Sequence, residues 1–286
     1  TIYLQTGYVR NTGIELSLGY NHTWNNNFHW DSNFTLSHNK NEIKELVRDY
    51  LHPETGEIIN KDRLEIGKLG KAKFILKEGG TLGDLYSQSD LKRDNNGMVE
   101  IDPSGALVVE NNLDDIKLGT VFPKANLAWN NHFSWKGISL SALITARIGG
   151  IVYSATEAAM DQYGVSERSA LARDNGGVLL NGRTLVDAQT YYTAIGSESG
   201  LPQYYTYSAT NVRLQEASLG YTIPRKWLGN ACDIQVSVVG RNLWMIYNKA
   251  PFDPEAVATT DNYYQGIDYF MLPSTRNIGV NVKITF

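Results

Sequence analysis

Residues 13–21 alternate: Ile14, Leu16, Leu18 and Tyr20 fall on one side, and Glu15, Ser17, Gly19 and Asn21 on the other. That is the period of a β-strand with one apolar face. A turn at Trp24-Asn25-Asn26-Asn27 follows, then Phe28, Trp30, Phe34 and Leu36 alternate with His29, Asp31, Asn33, Thr35 and Ser37. The two runs predict a hairpin. The pattern resumes over residues 122–130, with Ala125, Leu127 and Trp129 on one side and a turn expected at Asn130-Asn131-His132. Residues 138–148 give the cleanest strand, with Ile138, Leu140, Ala142, Ile144, Ala146 and Ile148 sharing one phase. Residues 210–222 change phase, since Val212 and Leu214 do not match Ala217, Leu219 and Tyr221. A β-bulge near Glu216 reconciles them, as would two short strands. After a turn at Ile223-Pro224-Arg225-Lys226, Ile234, Val236 and Val238 alternate within residues 233–244. The last run, 275–286, places Ile278, Val280, Val282, Ile284 and Phe286 on one face.

Between these strands the connections run short, long, short, long, short, long. Residues 39–120 read as one long structured loop, with extended pieces at 73–77, 98–101 and 107–110. The second long loop, 149–208, contains helical propensity at 154–163 and 166–173, separated by Gly164. The third, 247–273, is rich in Tyr, Asp and Pro. About seven strands with this length asymmetry fit a transmembrane barrel, whose turns are short on one side and long on the other. Trp24, Trp30, Trp129, Trp135, Trp227, Trp244 and Tyr221 near strand ends suit aromatic girdles at the two membrane interfaces. A soluble β-sandwich also alternates, but does not explain the length asymmetry.

Composition changes this picture little. The 286 residues carry a net charge of −4, and the absence of a basic stripe argues against nucleic acid. No run of apolar residues is long enough for a membrane helix, and the mean hydropathy of −0.31 is compatible with a barrel whose strands alternate and whose loops are polar. The chain begins at Thr1 without a signal peptide, which suggests a mature or truncated start. The one cysteine, Cys232, has no partner for an internal disulfide.

Catalytic and cofactor signatures are missing. His22, His29, His38, His52 and His132 are scattered, with no zinc spacing, and no nucleophile elbow or phosphate loop is present. Neither a cofactor nor a metal is expected. Asp94-Asn95-Asn96-Gly97 superficially matches a calcium loop but fails its spacing, so an Asn-Gly turn is the reading. The candidate chemistry is ligand binding by loop aromatics. Tyr191, Tyr192, Tyr204, Tyr205 and Tyr207 cluster in the second long loop, and Tyr263, Tyr264 and Tyr269 in the third. Such rings can cover a sugar face or a peptide side chain and offer hydroxyls; they can equally pack loop on loop or against a partner. Arg147, Gln215 and Lys283 are expected on the interior face of the wall.

An odd, open sheet in lipid leaves two edges. About five N–H and five C=O groups per edge, at several kcal/mol each, cost tens of kcal/mol against a domain stability of about 5–15 kcal/mol. The missing strands are expected before Thr1 or across a break in the chain.

Four stretches carry a family likeness. Residues 9–20, VRNTGIELSLGY, resemble a strand opening of the SusC/RagA-type TonB-dependent transporters of Bacteroidetes. FSWKGISL at 133–140, followed by GGIVYS at 149–154, resembles a hairpin of that family. So do VRLQEASLGYTIP at 212–224 and VGRNLWMIY at 239–247, the latter ahead of Phe252-Asp253-Pro254-Glu255. The likeness spans most of the chain and implies the C-terminal portion of the barrel. It further implies a 22-stranded wall, a plug domain, a SusD-like surface lipoprotein partner, energy from TonB, and uptake of a glycan or oligopeptide across the outer membrane of a Gram-negative bacterium. The plug and TonB-contacting regions are not in these residues. Phe286 resembles the terminal aromatic read by the barrel-assembly machinery. A passive porin-like channel and a soluble carbohydrate-binding module are the rival readings.

Overall fold

The computed structural model describes residues 7–196, 200–229, 231–259 and 264–286. Its main feature is one antiparallel sheet of seven strands: β1 (Tyr8–Thr23), β2 (Phe28–Glu45), β3 (Ala125–Trp135), β4 (Ile138–Ile148), β5 (Asn211–Ile223), β6 (Asp233–Asn248) and β7 (Asn277–Thr285). They lie side by side in chain order, each hydrogen-bonded to the next.

Register aligns the alternating patterns across the whole sheet. Leu18, Phe34, Trp129, Ile144, Leu214 and Trp244 stand opposite one another in a row over β1–β6. The row on the other face is Glu15, Ser37, Asn126, Arg147, Asn211 and Asn248. A slip of one residue in any strand would mix the two faces. The apolar face is bare: Ile14 is 67 % exposed, and Ile278 and Val280 are 73 and 71 % exposed. Of the buried apolar residues described, only Ile43 lies on one of the seven strands. A sandwich buries its apolar face under a second sheet; nothing among the described residues covers this one.

The short connections explain the pairing. At the first turn Trp24 N–H donates to Phe28 O (2.9 Å) and Asn27 N–H to Trp24 O (3.0 Å), with Asn27 left-handed at φ 59°. The expected turn at Asn130-Asn131-His132 is instead the middle of β3, and the chain reverses at Lys136-Gly137. Both of those residues have positive φ (47° and 89°), the two-residue turn whose twist matches a hairpin. The asparagines only imitated a turn. Asn130 joins the polar face, and Asn131 accepts the indole N–H of Trp30 at 3.1 Å. The phase change in β5 is one bulge, not two strands: Leu143 pairs with Glu216 and Ile144 with Leu214, so Gln215 is extra.

The buried core lies in the long connections. Residues 46–124 are more than a loop. They hold a hairpin (Val47–Leu51 with Ile58–Lys61) and a four-stranded sheet of Arg63–Leu69, Ala72–Lys77, Asp84–Leu91 and Val109–Thr120. Sequence periodicity missed most of these strands because both their faces mix charges with apolar residues. Residues 149–210 contain α1 (Ala155–Gln162), α2 (Glu167–Asp174) and α3 (Ala188–Ile195), the first two close to their expected positions. Ser154 caps α1 by accepting from Glu157 N–H, Ser166 caps α2 through Ser169 N–H, and Asp187 caps α3 through Thr190 N–H. Phe74 and Leu85 of the first connection, Tyr153, Leu201 and Tyr205 of the second and Ile267 of the third share one core.

Candidate functional site

All three long connections leave the same end of the sheet and pack into one body above it. The second and third are stitched by a short parallel pairing, Tyr153 with Ile267 and Ser154 with Asp268, and by Ser154 Oγ donating to Asp268 Oδ2 at 2.5 Å. The first and third meet where the rings of Phe74 and Tyr264 approach edge-on, 5.9 Å between centroids. The third is also tied to the wall. Arg213 of β5, almost fully buried, pairs with Asp253 (2.8 Å) and Glu255 (3.3 Å). Asn242 of β6, left-handed at φ 52°, donates to Ser274 Oγ (2.9 Å), and Ser274 in turn donates to Asp253. Both ends of the third connection are thus held at one point beside the bulge. Burial works against the Asp253 carboxylate, but its bonds from Arg213 and Ser274 outweigh that and hold it below its ordinary range.

The loop tyrosines sort by burial. Tyr205 is completely buried and donates to Asp161 Oδ2 at 2.9 Å. Asp161 also accepts from Ser166 Oγ (2.5 Å) and Arg168 Nε (2.9 Å). Burial opposes the Arg168 charge, yet Asp161 holds the guanidinium above its usual range; burial and Asp161 together push the Tyr205 phenol far up. Tyr192 is buried, donates to Arg168 O (3.3 Å) and lies edge-on to Tyr191, whose phenol burial pushes up to about 12. Tyr207 accepts from Arg168 Nη1 (3.3 Å) and packs edge-on against Phe252. Tyr204 is half-buried against the same core. Tyr205, Tyr192 and Tyr207 lock the second connection around Asp161 and Arg168, with Tyr191 packed beside them, while Tyr204 faces Asp90 and Arg93 of the first connection. Tyr264 and Tyr269, each 41 % exposed, present open ring surface. Tyr263 lies outside the described residues. Phe286 follows β7 and is almost fully exposed.

The Asp94 segment is a turn. Its carboxylate accepts from Asn96 N–H (2.8 Å) and Met98 N–H (2.9 Å), and Gly97 takes a positive φ of 78°. No cluster of three or more metal-ligating side chains occurs among the described residues. Arg147 and Lys283 stand on the polar face as expected, while Gln215 is the bulge residue. Sequence reading did not find the Arg213–Asp253 clasp. Its signal was the bulge itself, placed beside the acidic Asp253-Pro254-Glu255 segment.

A single two-faced sheet, open connections at one end only and short turns at the other is the geometry of a membrane barrel wall. Comparison with known proteins agrees. The chain is 24 % identical over 303 aligned residues to TonB-dependent receptor P3 of Formosa agariphila, with 97 % of the chain covered. It is 22 % identical to TonB-dependent receptor P26 of the same organism, with 98 % covered. Over nearly its whole length, this chain resembles one portion of these TonB-dependent receptors. It spans 29 % of the length of each of those two relatives. Its fold matches the structure of the RagAB peptide transporter with a TM-score of 0.64 at 16 % identity, covering 98 % of this chain and 30 % of that one. The RagAB peptide importer in its open-open state matches with a TM-score of 0.60 over 98 % of the chain. No family model matches. The sequence relatives are named as receptors, and the structural matches as a peptide transporter or importer.

Proposed function

We propose that this chain is part of the wall and extracellular cap of a TonB-dependent importer in the outer membrane of a Gram-negative bacterium. In this reading the apolar face meets lipid, the polar face lines the lumen, and the three long connections face outward. The observation that carries it is the bare apolar face. A sheet that exposes Ile, Leu, Val and Trp side chains across seven strands has a driving force of about 25 cal/mol per Å² to leave water. The open edges of β1 and β7 call for further strands, and a remainder of the same polypeptide supplies them, closing a barrel of about 22 strands around a plug.

Import rests on the rest of that protein: TonB energises it through regions outside this chain, and a SusD-like lipoprotein covers the cap. The cargo is an oligopeptide or a glycan. Tyr264 and Tyr269 are the described aromatic rings best placed to touch it. Tyr191, Tyr192, Tyr204, Tyr205 and Tyr207 serve mainly as scaffold for that surface. Phe286 is the aromatic that the assembly machinery reads.

Protease added to whole cells tests the orientation. Cuts are expected within 39–120, 149–208 or 247–273. Cuts at Asn25 or Gly229 would reverse it. Purification from outer membranes through a tag in one of these loops, followed by mass measurement, tests the rest. A polypeptide on the order of 100 kDa with a lipoprotein in equal amount is expected for a 22-stranded barrel with plug. A detergent-independent species of 31.9 kDa would favour the soluble module instead.

A further inference from the structure

Two neighbouring short turns gather cations at the end of the wall away from the long connections. Lys136 sits in the β3–β4 turn, and Arg225 and Lys226 in the β5–β6 turn. The turns touch: Thr222 N–H donates to Gly137 O at 2.7 Å. Arg225 has one carboxylate nearby, Asp233 at 3.8 Å, whereas Lys136 and Lys226 make no ion pair among the described residues. A chain of net charge −4 thus carries three cations against one carboxylate in these two turns and their strand ends. At the opposite end of the wall, Lys40 and Lys44 share Glu42. The apolar face beside the turns suits an acyl chain. Trp135, Ile138 and Tyr221 stand in one exposed row across β3–β5. Lys136 folds back onto that face, its Nζ 4.8 Å from the centre of the Trp135 ring. Trp227, next to Lys226, is 71 % exposed. An indole beside an ammonium matches a membrane interface, with the ring at the boundary and the charge among the headgroups.

We propose that this rim binds an anionic glycerophospholipid, with Lys136, Arg225 and Lys226 around its phosphate and Trp135, Ile138 and Tyr221 along its acyl chain. The proposal rests on the reading of the apolar face as the one that meets lipid, and it adds a preferred lipid to that reading. The centres of the two turns lie two interstrand steps apart, about 10 Å, a gap that long lysine and arginine side chains close around one headgroup. Charge complementarity selects the lipid. A zwitterionic headgroup brings its own ammonium, which these cations repel. An anionic one answers the cations and brings no positive charge. Each basic side chain at an anionic membrane surface is worth about five-fold in affinity. With Asp233 offsetting one of the three, an anionic lipid is expected to bind about ten-fold tighter or more than a zwitterionic one.

Full-length protein in a neutral detergent is titrated with phosphatidylglycerol and with phosphatidylcholine of the same acyl chains, and bound lipid is counted by native mass spectrometry. Phosphatidylglycerol is expected to bind about ten-fold tighter or more. The Lys136→Gln/Arg225→Gln/Lys226→Gln protein should lose that preference, while Lys40→Gln at the other end of the wall keeps it. If the triple variant fails to assemble, Lys136→Gln and Lys226→Gln decide singly: each should weaken phosphatidylglycerol by about five-fold and leave phosphatidylcholine unchanged. Glycerol 1-phosphate at the same concentrations should not displace the lipid; displacement would reduce the rim to a site for free phosphate esters and overturn the proposal. Equal binding of the two lipids to the wild type, or an undiminished preference in the variants, overturns the proposal alone when the protein still requires detergent. A protein that stays monodisperse without detergent and binds neither lipid overturns the reading of the apolar face, and the proposal with it.

Discussion

Trp30 donates its indole N–H to Asn131 Oδ1 at 3.1 Å, and both residues stand on the apolar face of the sheet. Trp129 does the same for Ser32 Oγ at 3.0 Å. Ser32 and Asn131 are directly opposite in the register, so two polar side chains on the face proposed to meet lipid are each answered by an aromatic donor. In hydrocarbon no water can replace those donors. Trp30→Phe is therefore expected to destabilise the barrel by about 1–3 kcal/mol, the cost of an orphaned buried polar group. Asn131→Leu in the Trp30→Phe background should recover most of it. The temperature at which the folded band is lost on a gel reads both. A Trp30→Phe protein as heat-resistant as wild type would show that Asn131 finds water.

The Arg213–Asp253 pair is buried on both sides, with side chains 5 and 8 % exposed. Removing one partner of such a pair leaves an uncompensated charge, typically at a cost of about 3–5 kcal/mol. Asp253→Asn should release the third connection from the wall while the seven strands still assemble. The expected readout is faster proteolysis within 264–276 and a folded band of normal yield. Loss of the folded band itself would mean that the clasp acts in wall assembly.

Asp115 accepts from Arg63 Nε (2.7 Å), Arg63 Nη2 (2.9 Å) and Gln88 Nε2 (2.7 Å), and pairs with Lys77 at 2.8 Å. Arg63 above all, then Lys77 and Gln88, hold its carboxyl well below the usual range against the opposing effect of burial. A depressed carboxylate contributes stability that is complete above its unfolded value of about 3.9 and is lost as pH falls through the lower folded value. Protection of the amides of residues 84–91, corrected for intrinsic exchange, should be flat from pH 7 to about 5 and fall below about 4. Asp115→Asn should lower protection at pH 7 and flatten the acid limb. An unchanged acid limb in that variant would assign it to other groups.

The wall was legible in the sequence because each strand repeats one physical rule. Ile138 to Ile148 alternate without a break, and even the phase change between Leu214 and Ala217 pointed to the bulge at Gln215. The cap was much less so. Strand Val109–Thr120 lies in a run of Asn, Asp and Lys whose side chains serve ion pairs, such as Lys117 with Asp84 at 2.5 Å, and not an apolar face. Asn130-Asn131-His132 has turn composition in the middle of a strand, where one asparagine serves the polar face and the next an indole. The tyrosine cluster was visible as composition. Its division into buried scaffold at Tyr205 and open surface at Tyr264 was not, because it depends on contacts between connections far apart in the chain. The rim of Lys136, Arg225 and Lys226 draws on two turns far apart in the chain, and only the register brings them together.

Cysteine scanning of β4 in the full-length protein, in outer membranes, tests the central claim. Ser139, Ser141 and Thr145 share one face, and Leu140, Ala142 and Ile144 the other. Each is changed singly to cysteine, with Cys232 replaced by serine, and exposed to a charged thiol reagent. The account predicts labelling at 139, 141 and 145 and protection at 140, 142 and 144, because a thiol in lipid neither ionises nor meets the reagent. Labelling on both faces, or protection of 139, 141 and 145 with labelling of the others, would contradict a wall with lipid on its apolar side and water on its polar side.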